Sequence, residues 1–239
     1  MSRRPADSPR GADLTLVGAV RAALAARADP TRAPAMQAYM KSAMPYRGVP
    51  TPALRACLRP LYTATRLPSF TAWRSTILAL WRGAAFREER YAAIELAGHR
   101  FYRAHQTMAA LPLYDELIVS GAWWDYVDAI ASHLLSAILA AEPAPMRRAM
   151  RAWAHGDDLW KRRSAILCQL PCKRDTDLAL LADCIEPALG SREFFLRKAI
   201  GWALREYAKT DPAWVRRYVR QHAARLSPLS QREALRRIR

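Results

Sequence analysis

Apolar residues recur at spacings of three and four positions along most of the chain, which is the pattern of amphipathic α-helices. Asp13 can cap a first helix that continues to about Ala28, and Asp29 with Pro30 marks its end. Beyond this point Ala, Leu, Arg and Glu dominate, alternating β-branched runs are absent, and Pro and Gly separate the periodic segments. The pattern predicts an all-α fold.

The N-terminal end differs from the rest of the chain. Residues 1–12 are polar and rich in Arg, Pro and Ser, which predicts a disordered tail. Residues 13–239 are expected to form a single domain, since a chain of this length can bury one good core. The apolar stretch at residues 14–20 is too short to span a bilayer and lacks a signal-peptide cleavage pattern. We therefore expect a soluble cytoplasmic protein.

The helices contain an internal repeat that is marked by the dipeptide Ala-Ile. It recurs, at spacings of 36, 36 and 34 residues, at Ala93-Ile94, Ala129-Ile130, Ala165-Ile166 and Ala199-Ile200. Five residues before the Ala, the four units hold Glu88, Trp124, Trp160 and Phe194. A period of this length that holds two helices is typical of a helical solenoid. We expect a HEAT-like superhelix with a concave face, because the residues that mark tetratricopeptide repeats are missing.

The position directly before the Ala distinguishes the units, which there hold Ala92, Asp128, Ser164 and Lys198. Trp124 lies four residues before Asp128, so the two share one helix face. Trp202 follows in the analogous helix two repeats on, and Arg162 and Arg163 lie in the repeat between. One concave surface is thus expected to combine a carboxylate, two indoles and guanidinium groups.

The charge balance indicates a polyanionic partner. The chain has 38 Lys and Arg against 21 Asp and Glu, which gives a net charge of +17. A field of this size attracts nucleic acid in particular. A membrane surface is the other polyanion to consider, but the basic residues are not confined to one amphipathic helix. We expect the concave face to be basic and to bind DNA.

Nothing in the sequence indicates a metal or a cofactor. Cys57, Cys168, Cys172 and Cys184 form no metal-finger pattern, so free thiols in a reducing compartment are expected. The five histidines are scattered, and neither a Gly-rich phosphate loop nor a nucleophile elbow is present.

Hydrolysis of a purine alkylated at a ring nitrogen would suit the carboxylate and the indoles. Such a base is cationic and leaves without a proton, and the sugar becomes oxocarbenium-like at C1′. The enzyme must then supply negative charge near C1′, a held water and electron-rich faces around the cation. Simpler interpretations remain open at this stage. Trp123 and Trp160 are assigned to packing, and Asp128 taken alone is better explained as a solvated residue or as a salt-bridge partner within the solenoid.

Several segments of the chain resemble the AlkD-type DNA glycosylases of the DNA alkylation repair family. Together they cover about residues 35 to 236, and the more specific ones contain the Trp-Trp-Asp and Lys-Ala-Ile-Gly-Trp motifs. The segments are Tyr39–Pro52, Glu116–Val119, Trp123–Asp128, Trp160–Leu167, Glu193–Thr210 and Leu226–Ala234.

The resemblance implies a HEAT-like superhelix that binds duplex DNA and releases cationic lesions such as 3-methyladenine and 7-methylguanine without a metal or cofactor. It implies that Asp128 is the catalytic carboxylate and that Trp124 and Trp202 flank the sugar of the lesion. Arg163 resembles the phosphate-binding arginine of the family. Tyr39 and Arg205 match positions that line the cleft.

These features predict a monofunctional glycosylase that leaves an abasic site and acts as a nucleoid-associated monomer. No lysine stands at the central positions to form a Schiff base, and Lys198, like Arg162, is interpreted as a DNA contact. Two alternatives stay open. One is a self-resistance glycosylase for bulky natural-product adducts on purines. The other is a non-catalytic DNA-binding scaffold, which would have no need of Asp128 together with both indoles.

Overall fold

The computed structural model describes residues 11–238, which are helical and contain no strand. The α-helices are α1 Leu14–Ala25, α2 Ala33–Met40, α3 Thr51–Ala64, α4 Phe70–Arg82, α5 Arg87–Ala97, α6 Leu111–Gly121, α7 Trp124–Ala129, α8 Ser136–Ala141, α9 Pro143–His155, α10 Leu159–Leu167, α11 Leu178–Ile185, α12 Phe194–Tyr207, α13 Pro212–Gln221 and α14 Pro228–Leu235. Short 3₁₀ segments lie at Arg100–His105, Met108–Ala110, Lys173–Asp175 and Glu186–Ala188, and a π-helical segment lies at Ile130–Leu135.

The predicted all-α fold is confirmed. The side chain of Asp13 caps α1 by accepting a hydrogen bond from the backbone N–H of Leu16 at 2.8 Å, as expected. The helix ends at Ala25, three residues before the predicted end. Of the expected disordered tail, residues 1–10 lie outside the described part of the chain. No helix within residues 11–238 is long and apolar enough to cross a membrane.

The chain folds into two compact units, and the boundary between them falls between His105 and Gln106. In the first unit, α4 packs on α5 around the fully buried indoles of Trp73 and Trp81. Glu88 of α5 is also fully buried. Its Oε1 accepts hydrogen bonds from the backbone N–H groups of residues 47, 48 and 49 at 2.9–3.1 Å. A buried carboxylate thus holds the loop before α3, because it satisfies N–H groups that would otherwise lack partners.

The second unit contains α6 to α14 and every predicted site residue except Tyr39. In it α10 packs on α7, α9 and α12, and α12 packs most extensively on α14. The Ala-Ile dipeptides mark corresponding helices, since they lie in α5, at the end of α7, in α10 and in α12. Their four Ile side chains are all buried. These positions are consistent with the helical repeat that the sequence predicts.

The four cysteines are unpaired thiols, as expected. Three of them are buried and Cys172 is half-buried. Trp123 and Trp160, for which the sequence predicts a packing role, contact each other and both contact Phe195, with ring centroids 5.0–6.1 Å apart. This aromatic cluster joins the start of α7 to the starts of α10 and α12.

Candidate active site

Helix α7 positions the predicted carboxylate. Tyr126 and Val127 face the core and are fully buried, whereas Trp124 and Asp128 lie on another face of the same helix and remain half-buried. The π-helical segment begins two residues after Asp128, and the Ser132 hydroxyl donates a hydrogen bond to the main-chain carbonyl of Asp128 at 2.6 Å. Such π segments widen a helix and occur frequently at functional sites.

Asp128 forms a bidentate ion pair with Arg163 of α10. Nε of Arg163 donates to Oδ1 at 2.7 Å, and Nη2 donates to Oδ2 at 2.8 Å. Nη1 of Arg163 donates to the main-chain carbonyl of Phe195 at the start of α12. The side chain of Arg163 is 5% exposed and that of Asp128 is 12% exposed. One guanidinium therefore ties α7, α10 and α12 together around the carboxylate.

The surroundings of Asp128 act on its ionisation in opposite directions. Burial raises the pKa of the carboxyl above its ordinary value of 3.8, and the negative charge of Asp125 raises it further. The hydrogen bonds and the positive charge of Arg163 lower the pKa but do not cancel the effect of burial. The carboxylate of Asp128 thus lies in a site where burial disfavours its negative charge, and Arg163 compensates that charge.

The resemblance leads us to expect a phosphate contact from Arg163. In this structure all three of its side-chain nitrogens donate hydrogen bonds to protein oxygens, and the side chain is nearly inaccessible. A phosphate contact by Arg163 would require the ion pair with Asp128 to open. The sequence left a salt bridge open as a role of Asp128 but did not indicate Arg163 as the partner, although the two residues are 35 positions apart, which is close to the repeat period.

A stripe along α12 carries three of the other predicted residues, Lys198, Trp202 and Arg205. Phe195, Lys198, Trp202 and Arg205 follow at spacings of three, four and three residues, so they lie along one side of the helix. The carbonyl of Phe195 contacts Arg163, and Trp202 lies two turns further along, half-buried. The stripe therefore begins at the Asp128–Arg163 pair and leads through Lys198 to the second indole.

Glu233 of α14 was missed by sequence reasoning. Its Oε1 accepts a hydrogen bond from Nζ of Lys198 at 3.0 Å, and its Oε2 accepts one from Nη1 of Arg205. Two cations that are expected from the sequence to contact DNA are therefore ion-paired within the protein. Again the partners Lys198 and Glu233 are 35 residues apart, one repeat period, and this spacing could have indicated the pair.

The remaining predicted DNA contacts differ in their accessibility. Arg162 is half-buried, and its Nη2 donates to the carbonyl of Pro187 at 2.9 Å. Tyr39, in the first unit, is 75% exposed.

Within residues 11–238, no three His, Cys, Asp or Glu side chains form a group that could hold a metal ion.

The fold and the site define an all-helical protein with an ion-paired, nearly buried carboxylate and two half-buried indoles. The sequence profile of the family described as DNA alkylation repair enzyme matches residues 20–238. A solved structure described as a predicted DNA alkylation repair enzyme from Enterococcus faecalis is similar with a TM-score of 0.80 and 30% identity, over 89% of this chain and 97% of that chain. No curated protein sequence matches significantly. The chain belongs to the DNA alkylation repair enzyme family.

Proposed function

We propose that the protein is a monofunctional DNA glycosylase that hydrolyses the N-glycosidic bond of cationic N3- or N7-alkylated purines in duplex DNA and leaves an abasic site. Membership of a family named for the repair of alkylated DNA supports the substrate class. The observation that carries the proposal is the carboxylate of Asp128, which Arg163 holds in a fixed orientation one helical turn from Trp124.

The chemistry asks little of the protein at the leaving group. When the bond between C1′ and the base nitrogen breaks, its electron pair stays with the alkylated base and neutralises the positive charge there. The sugar is left oxocarbenium-like at C1′, and an attacking water replaces the base and loses a proton to solvent. A carboxylate beside C1′ stabilises the developing cation and can hold that water. Asp128 is proposed in this role.

Arg163 is proposed to act through Asp128. Two parallel hydrogen bonds fix the plane of the carboxylate and favour its ionised form against the cost of burial. The faces of Trp124 and Trp202 are proposed to flank the sugar and the cationic base, with a cation–π attraction of about 0.5–2 kcal/mol each. Surface arginines and Tyr39 are proposed to contact the sugar-phosphate backbone.

Base release from duplex DNA that carries 7-methylguanine tests the proposal. We expect the wild-type protein to release the methylated base and Asp128→Asn to be slower by at least about tenfold, or roughly 1.4 kcal/mol of transition-state stabilisation. Unchanged release by Asp128→Asn would disprove the proposed mechanism. A wild-type protein that binds the duplex but releases neither methylated bases nor bulky purine adducts would instead be a non-catalytic scaffold.

A further inference from the structure

Glu233 reaches the stripe on α12 because α14 packs unusually close to that helix. Gly201 faces α14, and a Cβ atom at this position would lie 2.5 Å from Cβ of Glu233 and 3.1 Å from the carbonyl oxygen of Ser230. The hydroxyl of Ser230 donates to the carbonyl of Arg197 at 2.9 Å. A glycine and a hydrogen bond to the main chain therefore fix where the carboxylate of Glu233 lies.

The carboxylate of Glu233 forms ion pairs with two cations. Lys198 and Arg205 flank Trp202 on the stripe, and both are ion-paired to Glu233, whose side chain is 14% exposed. No other carboxylate in the described part of the chain forms an ion pair with either of them. The hydrogen bonds and positive charges of Lys198 and Arg205 keep the pKa of Glu233 below its ordinary value, so the carboxylate is ionised at neutral pH.

Positive charge on Lys198 and Arg205 would oppose the proposed reaction, because the species that react are themselves cationic. The alkylated purine carries a positive charge before the bond breaks, and the sugar carries it in the transition state. Two uncompensated cations beside Trp202 would repel both species, and the repulsion would be strong where protein excludes water. They would also attract phosphates, which favours binding of any duplex, damaged or not.

We propose that Glu233 is a positioning residue that neutralises Lys198 and Arg205, so that the stripe beside Trp202 accepts a cationic purine. The inference rests on the proposed glycosylase function. It adds a residue that touches neither DNA nor the lesion and acts through the two cations it holds. It also predicts effects of opposite sign on catalysis and on binding.

Glu233→Gln tests the inference in the full-length protein. We expect single-turnover release of 7-methylguanine at saturating protein to be about three- to tenfold slower, because two cations are left beside the developing charge. Binding of the same variant to undamaged duplex is expected to be tighter. Its salt dependence should become steeper by about 0.9 for each freed cation that reaches a phosphate.

Two further variants separate this role from a structural one. In Glu233→Gln with Lys198→Gln, one of the unpaired cations is removed, and we expect the rate of release to recover in part. Glu186→Gln removes a carboxylate from an exposed ion pair with Arg225 in the same unit and should leave release and binding as in the wild type. Simple loosening of α14 would lower release, duplex binding and melting temperature together, with no recovery in the double variant.

The outcomes decide the two proposals independently. An active wild-type protein whose rate and duplex affinity are unchanged by Glu233→Gln would overturn the role of Glu233 alone, as would a loss of all three properties without recovery. An inactive wild-type protein would overturn the glycosylase function. In that case the binding measurement still decides whether Glu233 masks the two cations, since affinity for undamaged duplex must rise in Glu233→Gln and fall again in the double variant.

Discussion

Asp128 and Arg163 would each be unfavourable to bury alone, and in the ion pair each compensates the charge of the other. Neither side chain has much access to water, so the guanidinium and the carboxylate solvate one another. Breaking such a pair by removing one partner leaves an uncompensated charge, which typically costs about 3–5 kcal/mol. Substitution of Arg163 should therefore alter the ionisation of Asp128.

The pH dependence of base release should reveal that ionisation. The raised pKa of Asp128 places the acidic limb of the pH–rate profile above 3.8, and the rate should rise with pH as the carboxyl ionises. Because Arg163 lowers this pKa, Arg163→Gln should move the limb to higher pH, whereas Arg163→Lys, which keeps a positive charge, should move it less. An acidic limb that is the same in all three proteins would show that Asp128 is not the titrating group.

On acidification, base release should be lost while the protein is still folded, because protonation of Asp128 does not itself favour unfolding. A carboxyl whose pKa is raised in the folded state takes up its proton more readily there than in the unfolded chain. Its contribution to stability is therefore present below the unfolded pKa and is lost as the pH rises through the folded one. Circular dichroism across the acidic limb should show the helices intact where release has already fallen.

The sequence led to candidate residues for this site but not to their ion-pair partners. Asp128, Trp124 and Trp202 could be proposed as site residues because the repeat alignment isolates the first and the resemblance assigns all three. The pairing of Asp128 with Arg163 and of Lys198 with Glu233 could not be read from local patterns, since these contacts join neighbouring repeats. Both pairs span 35 residues, and opposite charges one period apart are the signal that sequence analysis can use in such proteins.

At the scale of the helices, the repeat was predictable and its local distortions were not. Each Ala-Ile dipeptide places a buried Ile in a helical segment, and the Ala is buried as well in three of the four. The π-helical segment Ile130–Leu135 leaves no such pattern, since its residues are the same types that an α-helix would use. The buried Glu88 occupies a position where the other three sequence repeats have an aromatic residue. Its carboxylate accepts hydrogen bonds from backbone N–H groups of the loop before α3.

Substitution by alanine should change the free energy of unfolding in opposite directions at two helical glycines, Gly201 and Gly18. At Gly201 a Cβ would collide with Glu233, so Gly201→Ala should lower the free energy of unfolding by about 1–3 kcal/mol. Gly18 is exposed in α1 with no neighbouring atom within 4 Å of an added Cβ. Gly18→Ala should therefore raise the free energy of unfolding by about 0.5–1 kcal/mol. Urea unfolding of both variants checks this, and stabilisation by Gly201→Ala would contradict the close packing of α14 on α12.

At the scale of the whole molecule, the positive charge is unevenly distributed along the chain. Residues 1–105 contain 17 Lys and Arg against 6 Asp and Glu, whereas residues 106–239 contain 21 against 15. Glu88 and Glu89 of the first unit are buried, and Glu89 compensates Arg21 and Arg47 through ion pairs. The unit without Asp128 therefore carries most of the net charge, which suggests that electrostatic binding and chemistry depend on different parts of the chain.

Arg66 and Arg100 provide a test of this division in the first unit. Both are exposed, both guanidinium groups lie against the ring of Phe101, and neither forms an ion pair within the described residues. The double variant Arg66→Gln with Arg100→Gln should weaken binding to damaged and undamaged duplex equally. It should flatten the salt dependence by up to about 1.8, the value for two lost phosphate contacts. Release of 7-methylguanine at saturating protein should stay as in the wild type.

Arg55→Gln is the matched control for that measurement, because Arg55 is an exposed arginine of the same unit that is already paired with Glu95 at 2.8 Å. Its removal also lowers the net charge, but it takes away no unpaired guanidinium, so the salt dependence should change much less. If the control flattens the salt dependence half as much as the double variant, which is the same amount for each charge removed, binding follows only the total charge of the molecule. If neither changes it, the first unit does not contact the phosphates through Arg66 and Arg100.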